Sequence, residues 1–411
     1  MKHLGALLAS SAVIGLSLGS ANATDLEVTH WWTSAGEAAA VAEMAKAFDA
    51  TGNKWVDAAI AGGGTTALPV IISRISGGSP MGATVLVHGR QAEELIEAGL
   101  MQDLTPVAEE GGWKDVVQPA SLLGACTVDG KIYCVPTNIH SQHWLFLSNK
   151  AFETAGVPVP TNWAEFVQAA PALEEARIMP LALGRQPWQS LLVLNVVMAS
   201  VGGPELYNSV YGDKDAELAE GPEVTAVFEA LADVRRLGAR SRAQDWNEAT
   251  NLVITGQAGG QIMGDWAQAE FQTAGLEAGK DYQCLPGLGQ QDIVSTSGNA
   301  FYFPLLDDEA ALEAQMKLAS VMISPETQVA FNLKKGSLPV RSDLDMSLIS
   351  DCMKKGLEIL AAGKTIPGVE QYITPDTQAS LIDLATTFLA DESMSVEDAQ
   401  AEFAQIISEA Y

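Results

Sequence analysis

Short apolar runs and amphipathic stretches alternate along nearly the whole chain. Leu26–Trp32, Ala83–His88 and Gly260–Trp266 each read as a short strand that ends in Trp or His and runs on into a helix-like stretch. From Glu37 to Phe48 the apolar positions Ala39, Val41, Met44, Ala45 and Phe48 recur at helical spacing. Ser34 and Glu37 supply a capping box at that helix's start. Further helices are predicted over Gln91–Ala98 (ended by Gly99), after a cap at Thr161 or Asn162, and over Trp188–Val201, Pro222–Leu237 and Ala310–Ile323. Ser324 and Pro325 open another, closed by Lys334–Pro339, and Pro375–Tyr411 reads as two amphipathic helices. Two extended stretches, Gly130–Ser141 and Gly298–Pro304, are candidate crossovers between lobes. This alternation predicts an α/β fold of interleaved lobes.

The three strand ends carry the first functional hint. Open α/β sheets bind ligands just outside the carboxyl ends of their strands. Aromatic and hydrogen-bonding side chains at three such ends predict a cleft for a small polar ligand with flat apolar faces, such as a sugar. Neighbouring strand residues point to opposite sides. Trp31 and Trp32 therefore divide the work, one packing and the other covering the ligand. The loop Gly62–Thr66 lacks the lysine and spacing of a phosphate loop, so it is either a close backbone approach to a ligand or a plain turn.

The N-terminus changes the picture next. Lys2 and His3 precede an apolar stretch, Leu4–Leu18, and then Ala21–Asn22–Ala23, a cleavage pattern. Residues 1–23 read as a signal peptide, with the mature chain starting at Thr24. The stretch is shorter than the ~20 residues a membrane span needs. A length of 411 residues points to two lobes. A net charge of −28 argues against nucleic acid and anionic membrane surfaces as partners. Export permits disulfides. Cys126 and Cys134 flank the turn signal Asp129–Gly130. A two-residue loop would place Cys134 opposite Ala125, whereas a three-residue loop through Lys131 places it opposite Cys126. The favoured reading is a Cys126–Cys134 bridge on the three-residue loop and a Cys284–Cys352 bridge, with four buried free thiols as the alternative.

Glu37 and Asp265 are the candidate carboxylates for reading hydroxyls. Each also has a capping role open to it, Glu37 in the capping box and Asp265 ahead of Ala267. His88 is either a strand-end hydroxyl partner or a satisfied core histidine. Lys335, on its residue type alone, reads as a surface charge. His140 and His143 carry no metal-site pattern, and no cofactor motif occurs.

Eight segments in order carry a family resemblance: His30–Ala40, Ala61–Gly64, Pro136–Ser141, Pro160–Trp163, Gln186–Gln189, Asp245–Asn247, Met263–Ala267 and Lys335–Ser337. On them the chain resembles the periplasmic sugar-binding proteins of ABC importers, in the maltose-binding-like group and nearest its glucose-binding branch. The resemblance implies a two-lobed periplasmic-binding-protein fold (type II-like) with hinge crossovers. The expected lobes are residues 24–136 plus 299–342 and 137–298 plus 343–411. It implies a ligand set of Trp31, Trp32, Glu37, His88, Trp246, Asp265, Trp266, Asn299 and Lys335. Asn299 stands where relatives carry Asp, and Glu370 where they carry His. It further implies a monomer in the periplasm that binds glucose or a related hexose and docks on a membrane permease, with no catalysis. Two alternatives remain at this level: an exported glycosidase using paired carboxylates such as Glu37 and Asp265, and a sugar receptor reporting to a chemoreceptor.

Overall fold

The computed structural model describes residues 23–410, and the expected signal peptide lies, through residue 22, outside them. Among the described residues, nine strands build the two larger sheets. In the first, the spatial order is Lys54–Ala59, Asp25–His30, Ala83–Val87, Asn299–Tyr302 and Cys134–Pro136. Its first three strands are parallel, and Asn299–Tyr302 runs antiparallel to both of its neighbours. In the second, the order is Tyr282–Pro286, Trp144–Ser148, Ala258–Met263 and Met179–Leu181. Only its last pair is parallel. Each sheet has its own apolar core, which is what two burial-limited lobes require.

The chain passes from the first sheet to the second between Pro136 and Trp144, and returns between Pro286 and Asn299. These passages lie side by side: His140 N–H donates to Ser297 O at 2.9 Å. A third segment joins them, with Ile139 N–H donating to Leu338 O at 2.8 Å. The middle of the molecule is thus three extended segments held by backbone hydrogen bonds. Such a seam bends more readily than a packed core.

The helices follow the apolar periodicity. Ala35–Asp49 starts on the expected capping box: Ser34 Oγ accepts from Glu37 N–H and Glu37 Oε2 accepts from Ser34 N–H, both at 3.3 Å. It buries Ala40, Val41, Met44 and Phe48 in the first core. The predicted Gln91–Ala98 helix begins as a tighter 3₁₀ turn, Arg90–Ala92, before Glu93–Glu97. The Trp188–Val201 helix is longer than read. An α-helix, Pro187–Val197, passes through a π-helical turn, Met198–Gly202, into Gly203–Tyr211. This path is long and apolar enough to cross a membrane, but 72% of its most apolar window is buried inside the protein, as in a core helix.

The strands stop earlier than the sequence pattern suggested, at His30, Val87 and Met263. Trp32 N–H donates to the His30 ring Nδ1 at 3.2 Å and turns the chain out of the ladder. After Val87 the chain reaches Gly89, whose φ of 142° only glycine adopts readily. The aromatic residues therefore sit in the turns beyond the strands, where a cleft can form.

Both disulfides are present, with Cα–Cα distances of 5.1 Å for Cys126–Cys134 and 5.9 Å for Cys284–Cys352. The expected loop between the first pair is corrected. The hairpin pairs Val128 with Lys131 across a two-residue turn, not a three-residue one. The bridge forms regardless, because the ladder ends where Tyr133 N–H meets Cys126 O, and Cys134 then enters the first sheet. The Cys284–Cys352 bridge ties a strand of the second sheet to the helix Asp351–Ala361 across 68 residues. Replacing both of its cysteines by serine is expected to lower unfolding free energy by about 2–4 kcal/mol, because the unfolded chain regains loop entropy. Urea unfolding of the double variant with an unchanged midpoint would count against that constraint.

Candidate functional site

A cleft of about 500 Å³ opens between the two sheets, and both contribute aromatic rings to it. This volume falls within the ~300–1,000 Å³ common for small-molecule sites. On the first-sheet side, the turn after Asp25–His30 presents Trp31. A methyl added at Gly64 would lie 3.6 Å from its ring, so the glycine loop forms a floor beneath the indole. Gly63 reaches further across, and a methyl there would lie 3.5 Å from Trp188 Nε1 on the opposite wall. The glycine loop is thus a close backbone approach to the site and not a plain turn. Trp32 is the packing member of the pair. It is 2% exposed and meets Phe301 and Phe331 with ring centroids 5.7 and 5.5 Å away.

The second-sheet wall is an aromatic cluster. Trp266, in the turn after Ala258–Met263, has the rings of His140, Trp188 and Trp246 at 4.8, 6.1 and 6.5 Å. Their edge-on and tilted contacts hold one another in place, and all four line the cavity. Asp245 closes a capping box with Glu248, which sets Trp246 at the first turn of its helix.

Glu37 and Lys335 meet at the base of the cleft. The Lys335 ammonium lies 2.6 Å from Glu37 Oε1, with side-chain exposures of 1% and 9%. Glu37 takes the capping role through Oε2, and its Oε1 binds the lysine, a partner that its local sequence did not suggest. Lys335 is buried, contrary to its residue type, and its ammonium also sits 5.2 Å from the Trp32 ring centroid. Its position depends on Gly336, which ends the helix Pro325–Lys335 at a φ of 77°. A methyl there would come within 2.9 Å of Asp265 O and Gln268 Cβ.

Seven of the nine expected residues line this cleft: Trp31, Trp32, Glu37, Trp246, Trp266, Asn299 and Lys335. Two do not, and both are corrected. His88 turns into the first core, with Nε2 3.6 Å from Cys126 Sγ, and burial pushes its pKa down to about 4. It is a neutral core histidine packed on the disulfide. The close grouping of His88 with Cys126 and Cys134 offers no thiolates to a metal, because the sulfurs are bonded to each other.

Asp265 is 1% exposed and lies behind the wall. It accepts from Ser141 N–H at 2.9 Å and bonds His140 Nδ1 at 3.0 Å. Burial raises its pKa well above the carboxylate range. It positions His140, and His140 is the group that reaches the cleft. Burial, and then the nearby Lys335 charge, hold His140 well below the usual histidine pKa, so its ring is neutral, with Nε2 accepting from Asn138 Nδ2 at 3.0 Å.

His140, Trp188, Gln142 and Ser297 line the cleft although sequence reasoning did not select them. His140 and Trp188 lie inside segments that carried the family resemblance, and that was the available signal. Gln142 and Ser297 sit on the crossing segments, bonded to each other at 3.1 Å, and nothing local in the sequence marks them. Glu370 also lines the cleft. Its Oε1 accepts from Ser297 Oγ, and burial raises its pKa.

A ligand cleft between two α/β lobes joined by three extended crossings defines a solute-binding protein. The chain belongs to the bacterial extracellular solute-binding protein family, whose model matches residues 32–329. It is 35% identical to a "Probable sugar-binding periplasmic protein" of Brucella melitensis over 86% of this chain and 82% of that one. A protein of the same description from Rhizobium meliloti is 34% identical, with 87% of each chain covered. Among solved structures, a chitin oligosaccharide binding protein superposes with a TM-score of 0.77 at 20% identity, covering 94% of this chain and 99% of that one. The fold is therefore the α/β periplasmic-binding-protein fold, and the family binds solutes without transforming them. The geometry agrees on the last point. A glycosidase pair of Glu37 and Asp265 is unavailable, since one is bound to Lys335 and the other is buried behind the wall.

Proposed function

We propose that this protein captures a hexose, glucose or a close relative, in the periplasm and delivers it to the permease of an ABC importer. The observation that carries the reading is the pairing of Trp31 from one lobe with Trp266 from the other across one cleft. A pyranose has apolar C–H faces and a rim of hydroxyls. Indoles suit the faces. The rim is suited by groups that both donate and accept, such as Asn299 and Gln142, and by the Glu37–Lys335 pair. The relatives described as sugar-binding periplasmic proteins support the same reading. The lobes, residues 24–136 plus 299–342 and 137–298 plus 343–411, close about the three crossings, and the closed form docks on the permease.

A thermal-shift screen over mono- and disaccharides, followed by calorimetry, tests this. At a hundredfold excess over Kd, a ligand that binds only the folded chain stabilises it by about 2.7 kcal/mol. Glucose or an epimer is expected to give the largest shift. A panel in which only longer oligosaccharides stabilise would overturn the hexose assignment. A panel with no response to any carbohydrate would overturn the sugar reading itself.

A further inference from the structure

Behind the tryptophan wall lies a second cavity of about 490 Å³ that plays no part in the sugar reading. It shares that wall with the cleft. Helix Pro187–Val197 presents Trp188, Leu191 and Asn195 to the cleft, and Gln189, Ser190 and Val193 to the cavity behind. The far side is formed by the end of helix Pro222–Gly238 with the turn that follows it, and by the end of helix Pro375–Ala390.

The charge of this cavity runs against that of the chain. The sequence has 51 Asp and Glu against 23 Lys and Arg, yet Arg185, Arg235 and Arg242 all line this one hollow, with Glu392 the only acidic residue of the lining. Arg242 Nη1 donates to Ala239 O at 2.8 Å and to Ser241 O at 2.7 Å. Arg235 Nη1 donates to Phe388 O, Asp391 O and Met394 O, and its guanidinium sits 4.4 Å from the Phe388 ring centroid. Among the described residues, Nε and Nη2 of both have no protein acceptor, and the Arg185 guanidinium has none at all. Thr386, also in the lining, has a buried hydroxyl without a partner.

We propose that this cavity is a second small-molecule site, taking a solute that bears an oxyanion, a carboxylate or a phosphate. Guanidinium forks match both groups through paired N–H donors. Two of the three forks are already anchored by backbone carbonyls, so little side-chain freedom is lost on binding. A field of −28 disfavours anions over most of this surface, and three guanidiniums gathered in one hollow, two of them solvent-exposed, offset it locally.

The test is calorimetric titration of the full chain with citrate and with inorganic phosphate at matched ionic strength. One saturable site is expected for at least one probe. The Arg185→Ala/Arg242→Ala variant is expected to bind it about tenfold more weakly or worse, as loss of charge-assisted bonds implies. Arg236→Ala, which removes a guanidinium outside the cavity paired with Asp233, is expected to leave binding unchanged. Arg235 is left intact because it ties down three carbonyls. If the double variant does not fold, Arg185→Ala alone carries the test, since that guanidinium makes no internal bond. Failure of both probes to bind, undiminished binding by the cavity variant, or equal weakening by Arg236→Ala would each overturn the proposal.

Discussion

Replacing Lys335 by alanine is expected to lower unfolding free energy by about 3–5 kcal/mol, because it strands the Glu37 carboxylate in a buried site. The pair is 2.6 Å apart with 1% and 9% of the side chains exposed, so water does not screen the loss. A Lys335→Met/Glu37→Gln variant removes both charges together. It is expected to recover much of that stability, since replacing a buried pair outright costs far less than breaking it. Urea unfolding of the three proteins reads the difference directly. A Lys335→Ala loss of under about 1 kcal/mol, the range of exposed pairs, would show that the two groups are solvated.

The adjacent tryptophans are expected to respond in opposite ways. Trp32→Ala removes an indole packed on Phe301 and Phe331, and should cost about 3–5 kcal/mol of stability through the cavity it leaves. Trp31→Ala removes a half-buried ring over the glycine loop, so its stability cost is expected to be smaller. It should instead weaken sugar binding about tenfold or more, equivalent to at least ~1.4 kcal/mol. Unfolding and calorimetry on both variants separate the roles. Equal losses of stability, or unchanged affinity in Trp31→Ala, would contradict the division of labour.

The secondary structure was legible because it rests on local rules. The capping box at Ser34 and Glu37, the Ser324–Pro325 helix start and the apolar spacing of Ala35–Asp49 all act within a few residues. The site was legible in part. Trp31 and Trp266 could be chosen because each follows a strand, and Trp246 only because it lies in a segment that carried the family resemblance. Strand-end position alone misled for His88, since it does not determine on which side of the sheet a side chain lies. It misled for Asp265 because a carboxylate beside a tryptophan can face the interior as easily as the ligand. Neither the neutral His140 nor the buried Lys335 could be seen locally. Each depends on a partner 125 or 298 residues away.

From the chain's order of residues alone came the α/β alternation, the helix starts and the rule that Trp31 and Trp32 must part company. These follow from backbone sterics and side-chain periodicity, which are local. Only the folded molecule decided which tryptophan entered the core, that the Glu37 cap would also hold Lys335, and that His140 rather than Asp265 would face the cavity. Those outcomes depend on which segments the crossings bring together, and on desolvation. Desolvation has no value until the surrounding atoms are in place.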